Sequence, residues 1–461
     1  MIFNQSLRRR AASSLLLLSS LSGVAVVAAQ SAPTYTVYNA PVDSVDGSEI
    51  LDLAVTANER YAVVVGSNDD PADQKVRSVA LSAANRFTKQ SFDVVPQIPG
   101  RLIDPVLSGV ATHPTASYAI VTVREQNAAA IAAGNEAPGA ALFVQINSNG
   151  TMGFARSAAL DLGRYPEAIA IAPNGQFALV ANTDPDDGSG NTIRRSGTIS
   201  IIDLRSGPAA ARVLATVTPT LAATGSTRDV DDLAPEAIAI SPDSRRAFVT
   251  LQENNGIAII DMNLAALPAT VAAVPLPRQS GGTSPRLFPD GLAVTPDSQY
   301  LVTANEGVNQ DRPNSVSLFR IVSSTQLEYL ADSGSAIGTA VSLAGLPVAS
   351  TGSEPEMVVA NQFGSTMKAF VTLEKSAAVA VFNITPTATT KLALESLIPL
   401  DRGQAAGPDS TNPEGIVVSN VSGTRRYIIT ANTETHNVSL IDAVVQIPGF
   451  APRVRLPMIR P

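Results

Sequence analysis

Five acidic residues hold the same place in a recurring motif: Glu167, Glu236, Asp290, Glu356 and Glu414. Each follows a proline and opens a short apolar run. Gathered around one opening, such carboxylates can hold a hard cation such as Ca²⁺ through oxygen ligands. They can equally line a polar funnel for a ligand. Without partners they would repel and raise one another's pKa. The loops leading into five motif copies each carry an arginine, Arg101, Arg164, Arg228, Arg286 or Arg402. Arginine pairs with carboxylate through two parallel hydrogen bonds, so these residues are expected to staple one repeat to the next. The expected binding set is the five carboxylates with Arg164, Arg228 and Arg286, and any Ca²⁺ would be held among those carboxylates.

Other chemistry is thin. The chain has no Cys, no Trp and two histidines, His113 and His436. Zinc, blue-copper and c-type haem sites therefore lack their ligands. The repeat places the two histidines in turns on opposite faces, where each reads as a turn residue. There is no Gly-x-Ser-x-Gly elbow and no phosphate-binding glycine loop ahead of a helix. DPDDGSGNTIRR, from Asp184, lacks the aspartate alternation of a calcium loop and reads as a solvated acidic turn.

The elements that must position the carboxylates are visible in Pro235–Asp261, PEAIAISPDSRRAFVTLQENNGIAIID. It contains three short runs rich in β-branched and aromatic residues, divided by turn residues, which is the pattern of adjacent antiparallel strands. Related stretches begin at Pro166, Pro289 and Pro413, and looser ones near Ile50, Leu107 and Pro355. The residues at the marker position are Leu51, Ser108, Glu167, Glu236, Asp290, Glu356 and Glu414, spaced by 54 to 69 residues. Seven units of about four strands each predict an all-β, seven-bladed β-propeller with four-stranded antiparallel blades. The inner strands are expected near 51, 108, 167, 236, 290, 356 and 414. In that arrangement the five carboxylates share one mouth of the channel and cover one arc, with Leu51 and Ser108 on the other. The turns after the second strands add Asp69, Glu125, Asp184, Glu253, Glu306, Glu374 and Glu434 to that face.

Residues 1–29 read as a secretory leader. Arg8–Arg10 precede an apolar stretch, and Val27-Ala28-Ala29 offers a cleavage site. Ser and Gly dilute that stretch too much for a membrane anchor, and without Cys a lipoprotein anchor is excluded. Sec and Tat export both remain open. Residues 30–461 form one propeller domain, expected to be secreted or periplasmic, soluble and monomeric. The net charge is −8, or about −11 without the three leader arginines, which disfavours nucleic acid and anionic membranes. Tyr35–Tyr38 is the favoured strand for closing the ring, with Arg453–Met458 the competitor. Gln126–Gly139 reads as a surface loop.

Pro-Asp-Ser and Pro-Asn-Gly at the first turn, with VTAN, LVAN and ITAN ending the second strand, resemble YVTN-type seven-bladed propeller repeats of exported proteins. Asp231–Asp261 and Pro289–Val308 resemble more narrowly the choice-of-anchor I propeller domain. That domain also occurs in proteins named mesenchyme-specific cell-surface glycoprotein-like or alkaline-phosphatase-like. The resemblance implies fold and export more than chemistry. The expected function is an exported, non-enzymatic module binding a protein, polysaccharide or small ligand at the carboxylate- and arginine-lined mouth. The alternative is a lactonase-like or phosphoester hydrolase using acidic residues and Ca²⁺.

Overall fold

A computed structural model describes residues 33–41, 50–66, 70–81, 88–183, 196–221, 233–264, 271–276, 287–306, 314–400, 411–422 and 425–444. The leader, the 184–195 turn, Arg228, Arg286, Arg402 and Arg453–Met458 lie outside those residues. Seven antiparallel sheets form the blades of a β-propeller. The inner strands are Asp52–Val55, Pro105–Thr112, Pro166–Ile171, Pro235–Ile240, Pro289–Val294, Pro355–Phe363 and Pro413–Ser422. They belong to blades 1 to 7 in that order. Two blades carry a small addition, Met152–Phe154 in blade 2 and a parallel Thr220–Leu221 on the edge of blade 4.

The core follows from strands that are apolar on both faces. In blade 3, Leu179 and Ala181 pack toward blade 4, while Ala178 and Val180 pack toward blade 2. The same alternation all round the ring produces seven apolar clusters, one at each blade junction. A middle strand buried on both sides reads as a continuous apolar run, which is why AFVTL and ALVAN lack a polar alternation.

The ring is closed by the N-terminal strand. Thr34–Pro41 pairs antiparallel with Asn437–Val444 and becomes the outermost strand of blade 7. It also reaches the neighbouring blade, since Asn39 Nδ2 donates to the Leu400 carbonyl at 2.9 Å. Among the described residues two short α-helices interrupt the β architecture, the first in the segment read as a surface loop. α1 (Ala128–Ala132) is capped by Asn127, whose side chain accepts from the Ala130 N–H. α2 (Ala336–Ala344) buries Ile337 and Val341 against blades 5 and 6 and ends at Gly345 in the left-handed region.

Removing the closing strand leaves the edge of Asn437–Val444 unpaired. A chain beginning at Ile50 should melt several degrees lower and self-associate in size-exclusion chromatography. Asn39→Ala alone should cost about 1 kcal/mol in denaturant unfolding and leave the chain monomeric.

Candidate functional site: the carboxylate-lined channel mouth

Backbone geometry aims the marker residues. In blades 2 to 7 the pairing of inner and second strands slips at the marker, between Leu107 and Val110, Pro166 and Ala168, Pro235 and Ile238, Pro289 and Leu292, Pro355 and Val358, and Pro413 and Ile416. Such a bulge takes one residue out of the ladder and re-aims its side chain. Glu167, Glu236, Asp290, Glu356 and Glu414 thereby line one central cavity of about 680 Å³. Neighbouring inner strands run very close there. A Cβ on Gly291 would lie 2.4 Å from the Glu356 carbonyl oxygen, so glycine is what lets blades 5 and 6 bring Asp290 beside Glu356.

Blade 1 has no bulge, and its ladder runs regularly from Asp52 to Val55. The residue reaching the cavity is therefore Asp52 as well as Leu51. Its Oδ2 accepts from the Val110 N–H at 2.8 Å and its Oδ1 from the Leu53 N–H at 2.7 Å. This corrects the expectation of an arc without carboxylates: only blade 2 lacks one, with Ser108 donating to the Pro166 carbonyl at 2.6 Å.

A second repeated position decides how each carboxylate is met. It is the residue that follows the second-strand partner of the position before the marker: Arg124, Thr183, Gln252, Glu306, Glu374 and Thr433 in blades 2 to 7. Arg124 pairs with Glu167 of the next blade and stacks over the Tyr165 ring at 4.5 Å. Thr183 Oγ1 donates to Glu236 at 2.9 Å. Gln252 Nε2 donates to Asp290 at 3.3 Å and to Glu306 at 2.7 Å. Three successive carboxylates thus receive a donor from the preceding blade. Blades 5 and 6 place Glu306 and Glu374 where the others place a donor, so there carboxyl groups face carboxyl groups.

The electrostatics follow that division. Burial pushes Glu236 and Glu356 well above the ordinary range, helped by neighbouring Glu167 and Asp290 for the first and by Asp290 and Glu374 for the second. Burial raises Asp52 and Asp290 each to about 6. Glu306 reaches about 8, through burial and the charges of Asp290, Glu354, Glu374 and Glu253. Glu374 is raised by burial and held back by Lys375, whose Nζ lies 2.6 Å from its Oε1.

Of the arginines expected to staple the repeats, the two described ones, Arg101 and Arg164, bind elsewhere. Arg164 donates to the Gly134 carbonyl and to Glu136, both at 3.2 Å. Arg101 binds the carbonyls of Pro138 and Gly139 and pairs with Asp161. Both tie down blade 2 and neither lines the cavity. Glu125 also serves structure, accepting from the N–H groups of Ile103, Asp104 and Asn127. His113 is buried between blades 2 and 3, its Nδ1 accepting from Ala116 N–H and its Nε2 bonded to the Gly175 carbonyl. Sequence reasoning missed Asp52, Arg124, Thr183 and Gln252. Aligning the second-strand ends would have exposed the last three.

A family model for the choice-of-anchor I domain matches residues 27–276, more than half of the chain. The chain belongs to that family. A choice-of-anchor domain points to a cell-surface or exported protein and to a binding module. Among the described residues no helix is long and apolar enough to cross a membrane. No curated protein matches the sequence. Among solved structures, the β-propeller domain of Myceliophteria thermophila Cps50 (Swd1) is similar at 8% identity and a TM-score of 0.51, covering 88% of this chain and 99% of that one. At that identity it supports the propeller fold alone. Kuenenia stuttgartiensis hydrazine synthase is similar at 14% identity and a TM-score of 0.49, covering 86% and 96% of the two chains.

Arg124→Met leaves Glu167 without its cation. It should destabilise this choice-of-anchor I domain by about 2 kcal/mol, less than for a fully buried pair because Glu167 opens onto the channel. Chemical denaturation should show Arg124→Met/Glu167→Gln recovering most of that loss. Two additive penalties would mean that the pair does not interact.

Proposed function

We propose that this protein is an exported binding module that takes a positively charged group of its ligand into the channel mouth. The observation that carries the reading is the charge of the lining. The cavity wall holds six carboxylates, Asp52, Glu167, Glu236, Asp290, Glu356 and Glu414, and one arginine, Arg124. A cavity of about 680 Å³ suits a small ligand or one projecting segment of a protein or polysaccharide. A cation entering it would meet carboxylates already desolvated by the fold, where charge-assisted hydrogen bonds are strongest. The donors on the blade 2–4 side leave the blade 5–7 side as the richer in acid, so the ligand sits off the channel axis.

Ca²⁺ is the simplest such cation and is the ion that a hydrolytic alternative would use. Among the described residues no group of three or more His, Asp or Glu side chains stands together as a metal site. The reading therefore rests on charge and hydrogen bonding rather than on a coordination shell. Export fits the leader read in residues 1–29, with cleavage near Ala29.

Isothermal titration of spermidine and of Ca²⁺ at low salt tests the reading. Spermidine should bind, and Glu236→Gln or Glu356→Gln should weaken it roughly tenfold. Added salt should weaken it further. Binding that ignores both variants, or no binding of either cation, would overturn the proposal. Binding of Ca²⁺ with no response to spermidine would favour the ion-dependent alternative.

A further inference from the structure

We propose that Asp290, Glu306, Glu356 and Glu374 form a pH-sensitive latch that holds blades 5 and 6 together at the channel mouth while it carries protons and loosens the mouth when it ionises. The latch acts in the empty protein and does not depend on any ligand. Its basis is a chain of contacts that cannot all form between ionised groups. The carboxyl groups of Asp290 and Glu356 lie within hydrogen-bonding reach of one another, and so do those of Glu374 and Glu354. A carboxyl–carboxyl hydrogen bond needs a proton on one partner. Gln252 ties Glu306 to the first of these pairs from blade 4, its single amide nitrogen donating to both Glu306 and Asp290.

The groups facing the cluster come from four blades. Blade 3 contributes Glu167, blade 4 contributes Glu236, Gln252 and Glu253, blade 5 contributes Asp290 and Glu306, and blade 6 contributes Glu354, Glu356, Glu374 and Lys375. Lys375 is the one cation among these named groups, and it is engaged with Glu374 at 2.6 Å and lies 4.0 Å from Glu354. Full ionisation would therefore set several carboxylates against a single ammonium.

The backbone offers a place for that repulsion to act. Phe288 and Glu354, each just before the proline of an inner strand, hold positive φ of 50° and 47°. Left-handed geometry is costly for residues other than glycine, and surrounding contacts must maintain it. Here the N–H of Glu306 donates to the Phe288 carbonyl at 3.0 Å, and the N–H of Glu374 to the Glu354 carbonyl at 2.9 Å. The two glutamates that occupy the donor position are thus also the residues whose backbones pin the strained turns. Pushing their carboxylates apart pulls on the bonds that keep both turns in place.

Protons bound more tightly in the folded state stabilise it below the unfolded pKa and cease to do so as pH rises through the folded pKa. Glu306 and Asp290 set that window between about pH 4 and pH 8. Groups with lowered pKa, such as Asp203 at about 2, act only on the acid side of it. The test is thermal unfolding of the ligand-free protein at constant ionic strength across the window. Three variants are compared with the native chain: Glu306→Gln, Glu374→Gln, and a control at the exposed Arg320–Glu328 pair, Glu328→Gln. The native melting temperature should fall by several degrees toward alkaline pH. Glu306→Gln and Glu374→Gln should flatten the fall, and Glu328→Gln should follow the native curve. Amide exchange at the 288 and 354 turns of the native protein should accelerate with pH beyond the intrinsic base-catalysed rate, which keeps the test valid if a variant does not fold. A flat or rising native curve, or variants that fall as steeply as the control, would overturn the latch.

Discussion

Every blade must bury both of its faces, and the rest of the molecule depends on that constraint. A four-stranded sheet with an apolar run such as AFVTL on its middle strand has no solvent side. Only a neighbour on each flank satisfies it, and the seventh blade must meet the first. The seven apolar clusters, one per junction, are the direct expression of this requirement. A closed ring then has no option but to leave an axial channel, and the inner strands become its wall. The site is a by-product of closure that the inner-strand bulges exploit.

The bulge links fold to chemistry. Without it the marker side chain would keep its place in the ladder, alternating with its neighbours. With it, each blade from 3 to 7 turns one carboxylate into shared space, and the following residue meets the next inner strand. At that residue Gly291 permits the approach that couples Asp290 to Glu356. The ring then differentiates by substitution at one further position, the end of the second strand. Arg124, Thr183 and Gln252 give to the carboxylate of the next blade, while Glu306 and Glu374 compete with it. The channel is symmetric in backbone and asymmetric in charge.

Much of this was legible in the sequence because repetition is a strong signal. The recurring motif, looser copies included, gave the blade count and the inner strands, its Pro-Glu and Pro-Asp openings gave the five marker carboxylates, and YTVY gave the closing strand. What stayed hidden depends on register. Asp52 reaches the channel because blade 1 lacks a bulge, which one residue of alignment cannot reveal. The leading-loop arginines looked like the counter-charge because they sit near the markers along the chain. In space Arg164 is drawn to Glu136 instead, and Arg124, over forty residues before Glu167, supplies the charge. Sequence proximity ranks partners poorly where the strand that carries the partner comes from the blade before.

On the proposed reading the channel mouth holds more carboxyl groups than its own cations can neutralise, and protons fill the deficit until a cationic ligand arrives. Infrared difference spectroscopy of the carboxyl C=O stretch at neutral pH addresses it directly. A protonated-carboxyl band is expected in the ligand-free native protein, weakening when spermidine is added. No such band at neutral pH, together with no change on adding the cation, would contradict it.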